Sequence, residues 1–307
     1  MIDTPPCVNE IDEAGRVSAS SPVTIVTVAY NSMAKMPDML ASVPPGTPVV
    51  VVDNGSSDLA ALATLCDAHG ATLIRNAENL GFGRACNQGA DHAKTPFILF
   101  LNPDARLFPD TLDELLAAAE RRPDVSAMNP RIEEADGRPH VKRKSHLMPR
   151  SEWMPRGWPA QDQEVSVLSG SAFFVRREAF ESVGGFDPAI FLFHEDDDLA
   201  LRLRRDVGPL YFARAARVVH LAGESSARTP RIAALKAWHM GRSRVYAARK
   251  HGQRGAGVKA LVQAVVQLLS PDMLLSARKR AKNWAFFRGV LAEMLRPTRP
   301  GPERDMP

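Results

Sequence analysis

Cysteine is too scarce in this 307-residue chain to serve as a framework. Cys7, Cys66 and Cys86 match no metal-ligand spacing, and an odd count suits a reducing compartment better than disulfides. No stretch reaches the roughly 18 uninterrupted apolar residues of a membrane-spanning helix. The opening "MIDTPPCVNEIDEAGR" is polar and acidic where an export signal is basic and then apolar, so the cytosol is the expected compartment. Internal repeats are absent. No G-x-G-x-x-G pattern follows a strand, which disfavours a dinucleotide-binding fold. Acidic residues almost vanish from the C-terminal part: from Arg228 onward four Asp and Glu face 17 Lys and Arg, against 31 and 22 before it. Such a tail suits nucleic acid, anionic lipid or a phosphorylated substrate, and charge alone does not choose among them.

What remains has an ordinary globular composition, 45% hydrophobic and 24% charged, and a length that allows one large domain with an appendage. Residues 1–21 read as a leader without apolar periodicity. "VTIVTVAY" (23–30) and "VVVVD" (49–53) are continuous β-branched runs, expected of strands buried on both faces of a parallel sheet. "ATLIR" (71–75) and "FILFLN" (97–102) add two more. Helical spacing fills residues 33–42, 58–69, with "SSD" as an N-cap, and about 83–93. A helix "DTLDELLAAAERR" and a short strand "VSAMN" follow. This βαβ alternation predicts a right-handed, doubly wound α/β half, within a domain of residues 22–250. Residues 137–163, rich in Pro, Arg and Trp, read as a long loop of the kind that forms lids. Beyond them "EVSVLSGSAFFVRR" (164–177) reads as a strand with a Ser-Gly turn, and 178–183 as a short helix. The tail, residues 230–250, 258–269 and 273–295, is helical, and 251–307 form a basic appendage whose mixed apolar and basic faces fit either a packed hairpin or a helix lying on a membrane.

Ligands of doubly wound sheets bind beyond the carboxyl ends of the strands, so "VAYNS", "VVDNGSSD" and "LFLNPDA" come first. Asp53 suits a local turn bond, or a carboxylate accepting the imide N–H of a pyrimidine base. Asp104 suits the Asn-Pro-Asp turn, or a divalent cation bridging two phosphates, since Mg²⁺ and Mn²⁺ take oxygen ligands. Gly81 and Gly83 permit a tight turn into a helix that puts Arg84 and Asn87 on one face. Glu195, Asp196, Asp197 and Asp198 open a helix, where the dipole favours acids and Asp198 can pair with Arg202 at i+4. Four adjacent carboxylates exceed what capping needs and would raise one another's pKa toward general-base values, with Asp196 the best candidate. His220 is a core histidine, or a cation or diphosphate contact beside Gly223, Ser225 and Ser226. His239 and Arg242 share a helical face, solvated or turned toward a diphosphate.

Taken in order, "VTVAYNS", "VVVVDNGSSD", "NAENLGFGRACNQG", "LFLNPDA", "GSAFFVRREAFESVGGFDPAIFLFHEDDDLALRLRRDVG" and "VVHLAGESS" resemble the inverting nucleotide-sugar glycosyltransferases of family two, in the rhamnosyltransferase-like branch, over about residues 23–250. The resemblance implies an A-type glycosyltransferase fold, that of nucleotide-diphospho-sugar transferases: a mostly parallel doubly wound sheet with a helical C-terminal appendage. It implies that Asp53 contacts the base, with Ala29 and Tyr30 lining the same pocket, and that Asn87 lies near the ribose or sugar beside Arg84. Asp104 corresponds to the D-x-D metal motif and His220 to a position near metal and diphosphate. Asp196 corresponds to the catalytic base. One departure is Asn102-Pro103-Asp104, which lacks the first acidic ligand of D-x-D.

The implied reaction moves a hexose, L-rhamnose from a dTDP donor, onto a hydroxyl of a surface-polysaccharide or lipid-linked glycan, with Mg²⁺ or Mn²⁺ on the diphosphate. Nucleic acid is not an expected partner. The enzyme would work in the cytoplasm, on the inner face of the membrane if the C-terminal helices meet lipid. Alternatives are a UDP-hexose transferase making another linkage, a catalytically silent nucleotide- or carbohydrate-binding module, and a nucleotidyltransferase. The acid cluster argues against the silent module. "AYNSMAKM" lacks the basic, Gly-rich phosphate loop that a nucleotidyltransferase would need.

Overall fold

The valine runs form strands because β-branched side chains pack well on a pleated surface with both faces covered. In the computed structural model, which describes residues 21–221, 229–270, 273 and 276–296, β1 (Val23–Ala29) and β2 (Val49–Asp53) are buried along their whole length. They pair in parallel, Ala29 opposite Asp53, so both strands end at one edge. β3 (Thr72–Arg75) extends the sheet beyond β2, and β4 (Phe97–Leu101) lies on the other side of β1, both parallel. The strands alternate between two cores. Ile25, Val49 and Val51 face α1 (Met36–Ala41), α2 (Leu59–Ala68) and α4 (Thr111–Arg121), while Val26, Val50 and Val52 face α3 (Phe82–His92). Each such valine or isoleucine contributes roughly 1.5–3 kcal/mol by leaving water.

Past β4 the sheet becomes mixed. β8 (Ala172–Arg176) runs antiparallel to β4 and to β6 (Ala127–Glu134), and β6 is parallel to β9 (Leu210–His220). The short strands β5 (Ala105–Leu107) and β7 (Gln163–Val165) both add antiparallel to β9. Among the described residues the order is β3-β2-β1-β4-β8-β6-β9-β5, with β7 also on β9. α5 (Arg177–Ser182) and α6 (Glu195–Asp206) cover the second core. Helix α3 lies close against the sheet because Gly89 has no side chain there; a Cβ would overlap Val26 Cγ1. The expected N-cap of α2 falls at Asp58, which makes no side-chain capping bond.

The chain divides into two compact units, residues 1–188 with 195–226, and residues 189–194 with 227–307. The second contains α7 (Pro230–Lys250), α8 (Ala256–Leu268) and α9 (Ala277–Met294) around Ala237, Val245, Ala260, Ala264, Phe286 and Val290. Residues 230–250, read from sequence with the sheet domain, therefore pack with the C-terminal helices. α7 and α9 cross closely where Gly241 and Gly289 bring backbone against backbone. Within this unit Arg242 pairs with the buried Glu293 at 3.3 Å, and His239 stacks on Phe191, ring centres 4.1 Å apart. Burial, then the charge of Arg242, lowers the pKa of His239. The diphosphate role considered for these two residues has no support in these contacts.

Candidate functional site

Strand register brings two candidate acids, Asp53 and Asp104, to the same end of the sheet, and a helix start adds Asp196. Asp53 closes β2 and is 1% exposed; its two carboxylate oxygens share the Ser56 amide at 3.2 and 3.3 Å. The turn bond is thus present, to the amide three residues on, and lone pairs remain for a ligand donor. Ala29, opposite Asp53, passes its carbonyl to the Asn54 amide at 2.8 Å, and Tyr30 is half exposed beside it. Asn31 adopts a positive φ of 53°, which Asn tolerates better than most residues, and its Oδ1 accepts from the Ser57 amide and hydroxyl at 2.9 Å each. Asn54 ties this edge down further, bonding Asn76, Asn79, Leu80 and Gly81. The sequence alone assigns neither Asn31 nor Asn54 a role in the site.

Asp104 lies just past β4 and is 4% exposed. Its Oδ1 is 3.2 Å from His220 Nε2, and its carbonyl accepts from the Leu221 amide at 2.9 Å. His220 is 8% exposed, and its Nδ1 is buried with no hydrogen-bond partner. A buried imidazole with Nε2 against a carboxylate and Nδ1 without a partner is a donor set that fits a divalent cation. Gly223, Ser225 and Ser226 lie outside the described residues.

Two neighbours escaped sequence reading. Glu134 and His220 are register partners at the ends of parallel β6 and β9, so their side chains share a face. The turn after β6 then folds back, with the His140 amide on the Ile132 carbonyl at 3.0 Å, and places His140 Nδ1 2.6 Å from Glu134 Oε1. The His140 and His220 rings are 4.6 Å apart. No motif connects residues 134 and 140 to 220, so only the fold reveals them.

Asp196, in the first turn of α6, is held by several donors. Oδ2 accepts from Lys142 Nζ at 2.6 Å and from the Gly170 amide at 3.0 Å, and Oδ1 from the Asp197 amide at 2.8 Å. Lys142 also reaches Asp197 at 2.9 Å. Burial opposes its charge, but the two carboxylates prevail and hold the ammonium above the ordinary lysine range. Lys142 comes from the loop read as a lid, and nothing in that basic stretch marked it out. The link to Asp104 is short: Gly170 is followed by Ser171, whose carbonyl accepts from the Asn102 amide at 3.0 Å. Asp196 therefore stands at the start of β8, beside the end of β4.

The other acids divide by environment. Asp198 is fully buried and meets Arg202 at 2.8 Å, and Arg202 also donates to the Val183 and Gly185 carbonyls, so this i, i+4 pair locks α6 to the turn after α5. Glu195 is 8% exposed; burial, then the charge of Asp196, pushes its pKa up to about 8, and its Oε2 has no hydrogen-bond partner. Phe193 and His194, just before α6, both sit at φ 67°, a strained conformation for such residues and one that recurs near functional sites.

Asn87 has a backbone role in the fold: its Nδ2 donates to the Phe186 carbonyl and its Oδ1 accepts from the Phe186 amide, both at 2.9 Å, with one N–H and one lone pair beyond these bonds. Phe186 in turn packs on Phe100 and Phe180. Arg84 is exposed and donates Nε to the Pro188 carbonyl at 2.9 Å, leaving the rest of its guanidinium for other contacts. Beside Lys142 a cleft opens between Asn129, His140, Met154, Trp158, Ser169 and Phe212.

Comparison with known proteins bears on the family and the fold. A family model described as "Glycosyl transferase family 2" matches residues 24–184. An N-acetylglucosaminyl-diphospho-decaprenol L-rhamnosyltransferase from Mycobacterium tuberculosis (strain ATCC 25618 / H37Rv) is 30% identical over 292 residues, covering 84% of this chain and 94% of that protein. Among solved structures, the mannosyltransferase PcManGT from Pyrobaculum calidifontis in complex with GDP-Man and Mn²⁺ superposes with a TM-score of 0.52 at 16% identity, over 91% of this chain and 87% of that one. S. aureus TarS 1-349 gives 0.53 at 15%, over 89% and 91%. These likenesses show the A-type glycosyltransferase fold. With the family model covering more than half of it, the chain belongs to glycosyl transferase family 2 and is a glycosyltransferase.

Proposed function

We propose that this enzyme transfers L-rhamnose from dTDP-rhamnose, with inversion, to a hydroxyl of a lipid-linked N-acetylglucosamine. The observation that carries the reaction type is the cradle of Asp196: a largely buried carboxylate, fixed by three donors, beside the strand end that bears Asp104. Oδ2 already has two donors and Oδ1 one, so Oδ1 keeps a lone pair for an acceptor hydroxyl. Asp196 removes that proton while the acceptor oxygen attacks the anomeric carbon from the face opposite the diphosphate. A base in this role is worth roughly 10²–10⁴-fold in rate. Asp53 accepts the imide N–H of the nucleobase, with Ala29 and Tyr30 at the same mouth. Asp104 and His220 would hold a divalent cation, which would neutralise charge on the departing diphosphate.

The choice of sugar and acceptor rests on the mycobacterial relative, whose name specifies both an L-rhamnosyl group and a GlcNAc-diphospho-lipid. A lipid-linked acceptor gives the C-terminal unit a purpose. Among the described residues no helix is long and apolar enough to cross a membrane. Instead α8 exposes Val258, Val262, Val265 and Val266, with Leu269 just beyond its end, at 41–79%. Exposed Arg278, Lys279, Arg280 and Lys282 on α9 supply charge for anionic headgroups.

The test is a transfer assay with dTDP-rhamnose, UDP-hexoses and GDP-mannose against a synthetic polyprenyl-diphospho-GlcNAc. Transfer of one deoxyhexose from dTDP-rhamnose alone is expected. Transfer only from a UDP-hexose would move the donor assignment to the alternative, and melting temperatures unmoved by every nucleotide sugar would count against the transferase reading itself.

A further inference from the structure

The D-x-D position that is Asn102 here leaves Asp104 as the sole acid of that turn, yet two further ligand-type side chains stand beside His220. One ligand atom each from Glu134, His140 and His220 lies within 4.8 Å of the other two. Resting on the transferase reading above, we propose that Glu134 and His140 complete the cation site of Asp104 and His220, and that this donor set selects a first-row transition ion such as Mn²⁺ over Mg²⁺.

Backbone geometry brings the residues together before any ion is bound. Glu134, His220 and Ala105 form one row across β6, β9 and β5, and Asp104 immediately precedes Ala105. The fold-back after Glu134 sets His140 over that row. Each histidine already lies with one ring nitrogen against a carboxylate oxygen, at separations neighbouring ligand atoms of one ion would have: His140 Nδ1 to Glu134 Oε1 at 2.6 Å and His220 Nε2 to Asp104 Oδ1 at 3.2 Å. Their other nitrogens are underused. His140 Nε2 has a long 3.5 Å contact to Ser171 Oγ, and His220 Nδ1 is buried without a hydrogen-bond partner. Nothing else among the described contacts of His220 Nδ1 offsets the cost of burying it. Two imidazoles with carboxylates suit Mn²⁺ and its neighbours, whereas Mg²⁺ prefers oxygen ligands and retained water.

Titration of the purified full chain with Mn²⁺, followed by calorimetry and by ¹⁴N hyperfine coupling in the Mn²⁺ EPR spectrum, tests this without turnover. Wild type should bind one Mn²⁺ with two coupled nitrogens and yield it poorly to Mg²⁺. Glu134→Gln and His140→Gln should each weaken binding by about 10–100-fold, and His140→Gln should remove one coupled nitrogen. If a variant fails to fold, the Mn²⁺ anomalous peak in wild-type crystals decides, expected about 2.0–2.3 Å from a His140 nitrogen. Unchanged affinity in both variants, a single coupled nitrogen in wild type, or a peak held by Asp104 and His220 alone overturns the proposal. A wild type that transfers sugar while giving any of those results leaves the transferase reading standing. One that binds Mn²⁺ as expected but turns over no nucleotide sugar upholds the ligand set and defeats that reading.

Discussion

Replacing Glu195 by glutamine should make the sheet-containing unit more stable, and increasingly so as pH rises. Burial, then the neighbouring Asp196 charge, lifts this carboxyl from 4.5 to about 8. The folded state therefore keeps a proton that the unfolded chain gives up. The stability contributed by Glu195 is complete below about pH 4.5, declines as pH climbs, and is gone above about pH 8. At about 1.36 kcal/mol per pH unit, the decline amounts to roughly 3 kcal/mol by pH 7 and roughly 5 kcal/mol by pH 8. Glutamine cannot ionise, so the variant loses this slope. Its amide brings a separate cost, about 1–3 kcal/mol if left without partners, but that cost does not change with pH. The readout is the melting temperature of variant minus wild type, by calorimetry in the absence of nucleotide, from about pH 5 to pH 8. At roughly 2 °C per kcal/mol for a protein of this size, the difference should move in favour of the variant by about 5–10 °C across that range. A difference that stays constant with pH would refute the reasoning.

Two other substitutions probe the same helix. Lys142→Met removes the ammonium that meets Asp196 and Asp197 at 2.6 and 2.9 Å, which should cost about 3–5 kcal/mol of stability, seen in urea melts at neutral pH. Arg202→Met removes the 2.8 Å ion pair of the fully buried Asp198 and should destabilise by a similar amount, whereas the Asp198→Asn/Arg202→Met pair should recover part of the loss in a double-mutant cycle.

Much of the frame was legible because local pattern and tertiary role coincide. β1, β2 and β4 are apolar on both faces, and such runs can only be central strands; α7 begins at Pro230 with Thr229 as a side-chain cap and ends at Lys250 as read. β5 and β7, three residues each, exist because β9 is long enough to accept partners, and no periodicity can signal so short a strand. Asp53, Asp104 and Asp196 were visible as acids at strand and helix ends. The grip of Asn87 on the Phe186 backbone was not legible, because an amide near a glycine-rich turn looks the same whether it binds a ligand or the main chain. Lys142, Glu134 and His140 were invisible for a different reason. Each gains its meaning from a partner dozens of residues away in sequence, which only the sheet brings close.

Inverting transfer by this enzyme depends most directly on Asp196 as the base. Asparagine at this position keeps the shape and can still accept from Lys142 and the Gly170 amide, so donor binding should be unchanged, measured by calorimetry with dTDP-rhamnose. Turnover, measured as deoxyhexose transferred to the lipid-linked acceptor, should fall by about 10²–10⁴-fold. An Asp196→Asn enzyme that transfers sugar at the wild-type rate would contradict the account.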